Sequence, residues 1–398
     1  MIKINAGAFL TSAALCIGSL AWSSPATAQS GNVSNLVADL YGGDGLLIPG
    51  SGTHIGHFVA SSEEKLNDLN NIIASSLGGL TFGSTVGAVT FDMEQGVPVR
   101  TQESLGPLIA ERASTIGRGR INLALSYTFV NYTQLNGTPL NAQTIELTHQ
   151  DDAGENLYEF DKVRLDLDLK LRQHVLAIAG AYGLTDNLDV GVVVPIVRVE
   201  GSVRSVATVI PFSEQTAGFH VFIPEANRFS RNEANATGLG DILLRAKWQA
   251  VDPATSRLGV AAFGQFGLPT GDEDDLLGSG SYSAFLMGVV SGSFGRINPH
   301  LNLGYEHFFD QPSSIDNDRS NVRGAAGFDL KARDNLSVAT DVLARWESDG
   351  DKFYDLALGV KWAPKGFVPL SANLVLPLNR NEGLRPDFYF TLGLESTF

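Results

Sequence analysis

Cysteine is almost missing from this chain. The single residue, Cys16, lies in an apolar stretch near the first methionine, so none occurs from Gln29 to Phe398. A small disulfide-stapled scaffold is thereby excluded. Long apolar runs are missing too. Beyond residue 28 the longest lies near Val190–Val197 and contains Pro195, short of the ~18 residues that mark a spanning helix. Basic charge is scarce: 28 Lys and Arg against 43 Asp and Glu give a formal net charge of −15, which argues against a nucleic-acid partner. No GxSxG nucleophile motif occurs, and GxG pieces such as Gly238-Leu239-Gly240 lack the strand, glycine loop and helix of a dinucleotide site.

What is present begins with a targeting pattern. Lys3 is the only charge before Gly31, an alanine-rich apolar stretch runs from Ala6 to Trp22, and Ala26-Thr27-Ala28 puts small residues where a signal peptidase cuts. Residues 1–28 are expected to be a signal peptide. Its removal takes Lys3 away and moves the formal charge from −15 to −16.

Residues 162–173 read KVRLDLDLKLRQ. Val163, Leu165, Leu167, Leu169 and Leu171 alternate with Lys162, Arg164, Asp166, Asp168, Lys170 and Arg172. A strand explains this, because its successive side chains point to opposite faces; a helix would spread the charges around its axis. The same alternation recurs in twelve candidate strands, at about 118–132, 158–182, 187–199, 238–251, 257–269, 281–294, 298–309, 321–332, 335–347, 353–363, 369–379 and 386–398. The stretch 281–294 alternates poorly, and its faces stay open. Connections alternate between two classes. Those at 183–186, 252–256, 295–297, 333–334 and 364–368 are all short, whereas the long ones, including 133–157 and 200–237, fall in the other class. Outer-membrane barrels pair short periplasmic turns with longer external loops. The expected fold is all-β, a transmembrane antiparallel up-and-down β-barrel of about twelve strands over residues 118–398.

The chain ends predict more. Phe388, Phe390, Leu392, Leu394 and Phe398 share one face of the last strand. This resembles the C-terminal strand of bacterial outer-membrane barrels, which implies that Phe390, Leu392, Leu394 and Phe398 carry a signal for the insertion machinery. Trp248 and Trp362 fall near inside strand ends, and Trp346, Tyr354 and Phe388 near outside ends, as two interfacial belts would require. Residues 29–117 break the pattern. Ser62-Glu63-Glu64 before Leu66, Leu69, Ile72 and Ile73 reads as a capped amphipathic helix, Asn32–Leu40 as a second short helix, and 78–88 is glycine-rich. This element is expected either to plug the lumen or to lie under the periplasmic mouth.

In a membrane barrel the apolar face meets lipid. The leucines of 163–171 are accordingly assigned to lipid, and the lumen to Lys162, Arg164, Asp166, Asp168, Lys170, Arg172, Asp241, Arg245, Lys247, Arg323, Asp329, Lys331, Asp341, Arg345, Asp355 and Lys361. Their mixed signs read either as a selectivity filter or as the polar packing of a closed barrel. The run Asp272, Glu273, Asp274 and Asp275 reads as a solvated outside loop, a weak metal candidate without calcium-loop spacing. His54 and His57, three apart with no obvious third ligand, read as structural. No metal or cofactor is assigned.

Four pieces carry a family likeness: SLGPLIAERASTIGRGRINLALSY (104–127), YGLTDNLDVGVVVP (182–195), GLGDILLRAKW (238–248) and LPTGDEDDLLGSGS (268–281). They resemble outer-membrane barrel proteins of the phenol-degradation meta-cleavage pathway, which are distantly like the long-chain fatty acid and aromatic hydrocarbon channels. The resemblance implies passive uptake of a small hydrophobic or aromatic molecule across the bacterial outer membrane. It carries over no binding residues. Membrane lipid, the insertion machinery and a small-molecule substrate are the expected partners, and the oligomeric state stays open. Two rivals remain: a structural or adhesion barrel with no open path, and a lipid-modifying enzyme, which would need a Ser–His pair oriented by a third group.

Overall fold

The computed structural model describes residues 32–49, 51–77, 91–94, 97–100, 109–149, 157–223, 227–309, 320–348, 350–364 and 368–398. The expected signal peptide and the glycine-rich stretch 78–88 lie outside them. Twelve long strands form the barrel: β1 (Ile121–Leu135), β2 (Lys162–Thr185), β3 (Leu188–Ile210), β4 (Ile242–Val251), β5 (Leu258–Leu268), β6 (Ser283–Gly292), β7 (Ile297–Phe308), β8 (Ser320–Arg333), β9 (Leu336–Glu347), β10 (Lys352–Trp362), β11 (Leu370–Pro377) and β12 (Leu384–Thr397). Each pairs antiparallel with the next, and β12 pairs with β1 to close the ring. Closure leaves no barrel edge unpaired. All twelve overlap the stretches where period-two alternation puts them, although β3 continues to Ile210 through residues expected as loop, and they are joined by short turns at one end and the long connections at the other.

The outward face is a lipid surface. Ile178, Val192, Leu244, Leu286, Leu303, Val342, Leu358 and Leu392 point out of the wall and are exposed. In water so large an apolar band would drive aggregation; in a bilayer it is the matching solvent. Trp248 and Trp362 are exposed at the short-turn end, and Phe388 at the other. There Trp346 Nε1 also donates to Tyr354 Oη at 3.0 Å. This is a membrane-spanning barrel of the bacterial outer-membrane type.

Two strands outrun the membrane. β2 has 24 residues and β3 has 23. At ~3.3 Å per residue β2 is roughly 80 Å long, while ~10 tilted residues cross the bilayer core. The lower half of β2 pairs with β1 and that of β3 with β4. Their upper halves are flanked instead by the strands Gln143–Thr148 and Asn227–Leu239, forming a wall that stands outside the membrane. The outward face of β2 records the boundary. Ile178 and Tyr182 lie below His174; Lys162, Arg164, Lys170 and Arg172 lie above it and are exposed. On β3 the change comes between Ile196 and Arg198, which pairs with Glu200 at 2.8 Å.

The face assignment for 162–172 is therefore reversed. Val163, Leu165, Leu167, Leu169 and Leu171 are buried inward, and the alternating charges, Asp166 and Asp168 included, face outward. Lys162 pairs with Glu146 at 2.8 Å and Arg164 with Asp166 at 3.2 Å on that outer surface. The reason is height. Lipid does not reach this part of the strand, so water takes the charged side and the protein interior takes the leucines.

That interior is filled by the N-terminal element. Helix α1 (Val59–Leu77) buries Leu66, Leu69 and Ile73. Two short 3-10 turns, Val33–Asn35 and Ala38–Tyr41, bury Val33, Leu40 and Tyr41 in the same core as the β2 leucines. Polar contacts fix the docking: Ser34 N donates to Asp274 O at 2.8 Å, and Asn232 Nδ2 to Leu36 O at 3.0 Å. The element thus sits at the outer end, which overturns a place under the periplasmic mouth for the residues described. Ser62 is not the helix cap. The helix begins at Val59, and Ser62 Oγ donates to Val59 O at 2.7 Å while accepting Leu46 N at 3.3 Å.

Candidate functional site

The barrel lumen is entered by the chain itself. From Ile109 a segment descends inside the wall and joins β1 at its inner end, where Gly119 N donates to Gly183 O at 2.7 Å and Gly183 N to Arg120 O at 3.0 Å. Inward side chains of β3, β4, β6, β7 and β8 hold it. Asn302 Oδ1 accepts Glu111 N at 2.7 Å, and Asn302 Nδ2 donates to Glu111 O at 3.0 Å, so one amide imitates a strand partner. Ser291 Oγ accepts Ala113 N at 3.1 Å and Asp189 Oδ2 accepts Ile116 N at 3.0 Å. Lys247 Nζ meets Glu111 Oε2 at 3.2 Å, and Arg112 pairs with Asp329, whose other oxygen accepts Asn298 Nδ2 at 3.0 Å. Asp329 is fully buried and Lys247 nearly so. Charges survive such burial only when paired and hydrogen-bonded, and this segment supplies the pairing.

Apolar packing completes the lower lumen. Ala113 is buried against Ala261, Phe263, Met287 and Val289. This explains the poor alternation at 281–294: β6 meets lipid with Leu286 and Val290 and an apolar lumen patch with Met287 and Val289, so both faces are apolar.

Most of the other lumen candidates point inward and are paired. Asp341 meets His300, Lys361 meets Glu395 at 3.1 Å, Arg323 meets Glu306, Arg345 meets Glu347 at 2.9 Å, and Arg245 donates to Gln265 at 2.9 Å. Asp355 pairs with Arg385, and Lys331 meets the turn residue Asp334 at 3.1 Å. Asp241 departs from its assignment. It precedes β4 at the outer end, where its carboxylate accepts Gly271 N at 3.1 Å, Ser279 N at 2.7 Å and Ser279 Oγ at 2.7 Å. Its work is to close the loop that carries Asp272–Asp275, since a strand-end position points at the loop and not into the lumen. Leu276 and Leu277 anchor that loop in the outer core. At the carboxyl end Phe398 pairs with Ile121 in both directions, at 2.8 and 3.0 Å.

Above the descending segment lies a cavity of about 110 Å³. Ile109, Tyr132, Phe353, Leu384 and Tyr389 supply apolar surface, and Arg323, Arg345, Asp355 and Arg385 supply charge. The Arg345 guanidinium lies 4.3 Å and that of Arg385 5.1 Å from the Phe353 ring centre, so cations cover an aromatic face. Sequence reasoning reached Arg323, Arg345 and Asp355 but missed Tyr132, Phe353, Tyr389 and Arg385. For Phe353 the signal was available: it lies two residues from Asp355 and so shares its face.

Residues 162–367 match a family described as "Putative MetA-pathway of phenol degradation". The chain belongs to this family. The family match runs from the start of β2 past the end of β10; the N-terminal element and the descending segment precede it. No curated protein sequence matches the chain. Among solved structures, an outer-membrane channel from Pseudomonas putida F1 is similar with 14% identity and a TM-score of 0.47, covering 72% of this chain and 98% of the other. The Ralstonia pickettii toluene transporter TbuX is similar with 12% identity and a TM-score of 0.38, covering 82% and 97%. A Pseudomonas aeruginosa FadL homologue has 13% identity and a TM-score of 0.33, covering 70% and 90%.

Proposed function

We propose that this family member is a passive outer-membrane channel for small hydrophobic molecules, with single aromatic rings as the best-fitting class. One observation carries the reading: an aromatic- and arginine-lined cavity inside a closed barrel, directly above the segment that fills the lower lumen. Its volume of about 110 Å³ is near the roughly 150 Å³ of a dry cavity that holds benzene. Arg345 and Arg385 over Phe353 suit a flat ring with a polar substituent better than a bare alkane. Diffusion down a gradient requires no cofactor. Below the cavity, passage requires that the 110–116 segment yield, and its paired charges set how readily it does. Phe390, Leu392, Leu394 and Phe398 are proposed to present the assembly signal.

The test is flux of phenol into vesicles with a lipopolysaccharide outer leaflet, which slows free permeation. Folded protein is expected to raise influx above empty vesicles, and Phe353→Ala to lower it. Equal influx with and without folded protein would sink the channel. The same 110–116 segment favours a second reading, a structural barrel with no path. On that reading Glu111→Ala with Arg112→Ala leaves influx at the empty-vesicle level; on the channel reading it raises influx.

A further inference from the structure

A second cluster stands at the outer end, apart from the lumen. Four of the seven histidines in the chain meet there. His54 and His57 come from the turn before α1, His149 directly follows the strand Gln143–Thr148, and His220 lies in the loop after β3. Their ring centres form a closed circuit: 4.5 Å from His54 to His57, 4.5 Å to His149, 5.1 Å to His220 and 5.6 Å back to His54. His57 Nδ1 lies 3.0 Å from His54 Nδ1 and 2.8 Å from His149 Nε2. One ring nitrogen each from His54, His149 and His220 lies within 4.8 Å of the others.

We propose that these histidines form a binding site for a divalent transition-metal ion, with Zn²⁺ as the best match. Three features point there together. First, neutral imidazoles suit Zn²⁺, Ni²⁺ and Cu²⁺ and not the oxygen-seeking Ca²⁺ or Mg²⁺. Second, a tetrahedral Zn²⁺ with Zn–N near ~2.0–2.1 Å sets ligand nitrogens roughly 3.4 Å apart, a value that the separations of 2.8 Å, 3.0 Å and up to 4.8 Å in the cluster bracket. Third, a supporting carboxylate is already in place. Buried Asp161 holds His220 Nδ1 at 2.8 Å through Oδ2, and its Oδ1 accepts Phe212 N at 2.7 Å. That bond puts the His220 proton on Nδ1 and turns Nε2 into a lone-pair donor, the arrangement that orients metal-ligating histidines. Phe58 closes the apolar side, edge-on to His149 and His220 at 5.5 and 5.4 Å. The ion would tie three separate chain segments together and lock the N-terminal element into the outer wall.

The test uses untagged, refolded mature protein, freed of metal by a chelator and dialysed against micromolar Zn²⁺. One Zn²⁺ per chain is expected by elemental analysis. His149→Ala with His220→Ala is expected to lose it. Asp161→Asn, which keeps the ligands, is expected to weaken binding ~10–100-fold with barrel migration on gels unchanged. Co²⁺ bound to the wild type is expected to give the intense visible bands of tetrahedral coordination. Zinc content in the wild type no higher than in the double variant, unchanged affinity in Asp161→Asn, or a pale octahedral Co²⁺ spectrum would each overturn the site.

Discussion

Gly183 shows how much a single residue decides. A Cβ added there would fall on the carbonyl oxygen of Gly117, a backbone atom that cannot rotate aside. Gly183→Ala is expected to destabilise the folded state by about 1–3 kcal/mol, seen as a lower temperature for loss of the compact gel form. The reversed face of β2 gives a paired prediction. Leu167→Ala should loosen the N-terminal element by about 2–5 kcal/mol, read as faster proteolytic release of residues 32–77, whereas Lys170→Ala should change it by no more than about 0.5 kcal/mol. A lipid-facing Leu167 would leave the release rate unchanged. At this scale the alternation of 162–173 was fully legible as a strand. Its sidedness was not, because period two is blind to height above the bilayer. The clue lay in length: a 25-residue alternating run at 158–182 is more than twice what a crossing needs.

Elements were legible in proportion to how simply they are solvated. Most of the crossing strands meet lipid on one side and a mostly polar lumen on the other, so their pattern is clean; β6, apolar on both faces, is the exception. Most of the strand Asn227–Leu239 was read as loop, since NRFSRNEANATGL is largely polar, with Arg231 paired to Glu233 on its exposed face. The N-terminal element carried a readable helix but no sign of which end it covers. Its attachment has a pH signature. Burial pushes the Tyr41 phenol up to about 12, against weaker opposing effects of the Ser205 hydrogen bond (2.5 Å) and Arg228. The detached form ionises first, near its ordinary value of ~10. Attachment is therefore whole below about pH 10, weakens as pH rises toward 12, and loses roughly 2–3 kcal/mol in all. Proteolytic release of residues 32–77 should accelerate across that window, and Tyr41→Phe should flatten the rise.

For the whole molecule the lumen balance is the central quantity. Arg112→Met alone strands the Asp329 carboxylate and is expected to cost about 3–5 kcal/mol. Arg112→Met combined with Asp329→Leu should recover most of that loss, because the buried pair contributes little net stability over apolar packing. Denaturant midpoints of the two variants decide it, and equal destabilisation would refute the pairing. Half of this site was legible. Lys247, Asp329, Asp341 and Lys361 announced themselves as charges in apolar alternation. Glu111 and Arg112 did not, because they belong to an irregular segment whose partners lie 136 and 217 residues away, and no periodicity encodes such a meeting. His54 and His57 were read only as a pair, and His149 and His220 were hidden for the same reason.

The descending segment also dictates an order of events. Residues 33–77 dock outside the membrane, residues 109–117 run through the ring, and β1 starts at the inner rim. A finished ring cannot be threaded from its own end by a folded element. Either the β12–β1 seam closes around a chain already lying across the opening, or residues 33–77 pass through before they fold, and in both cases Lys247 and Asp329 gain their ion-pair partners only when the segment is in place.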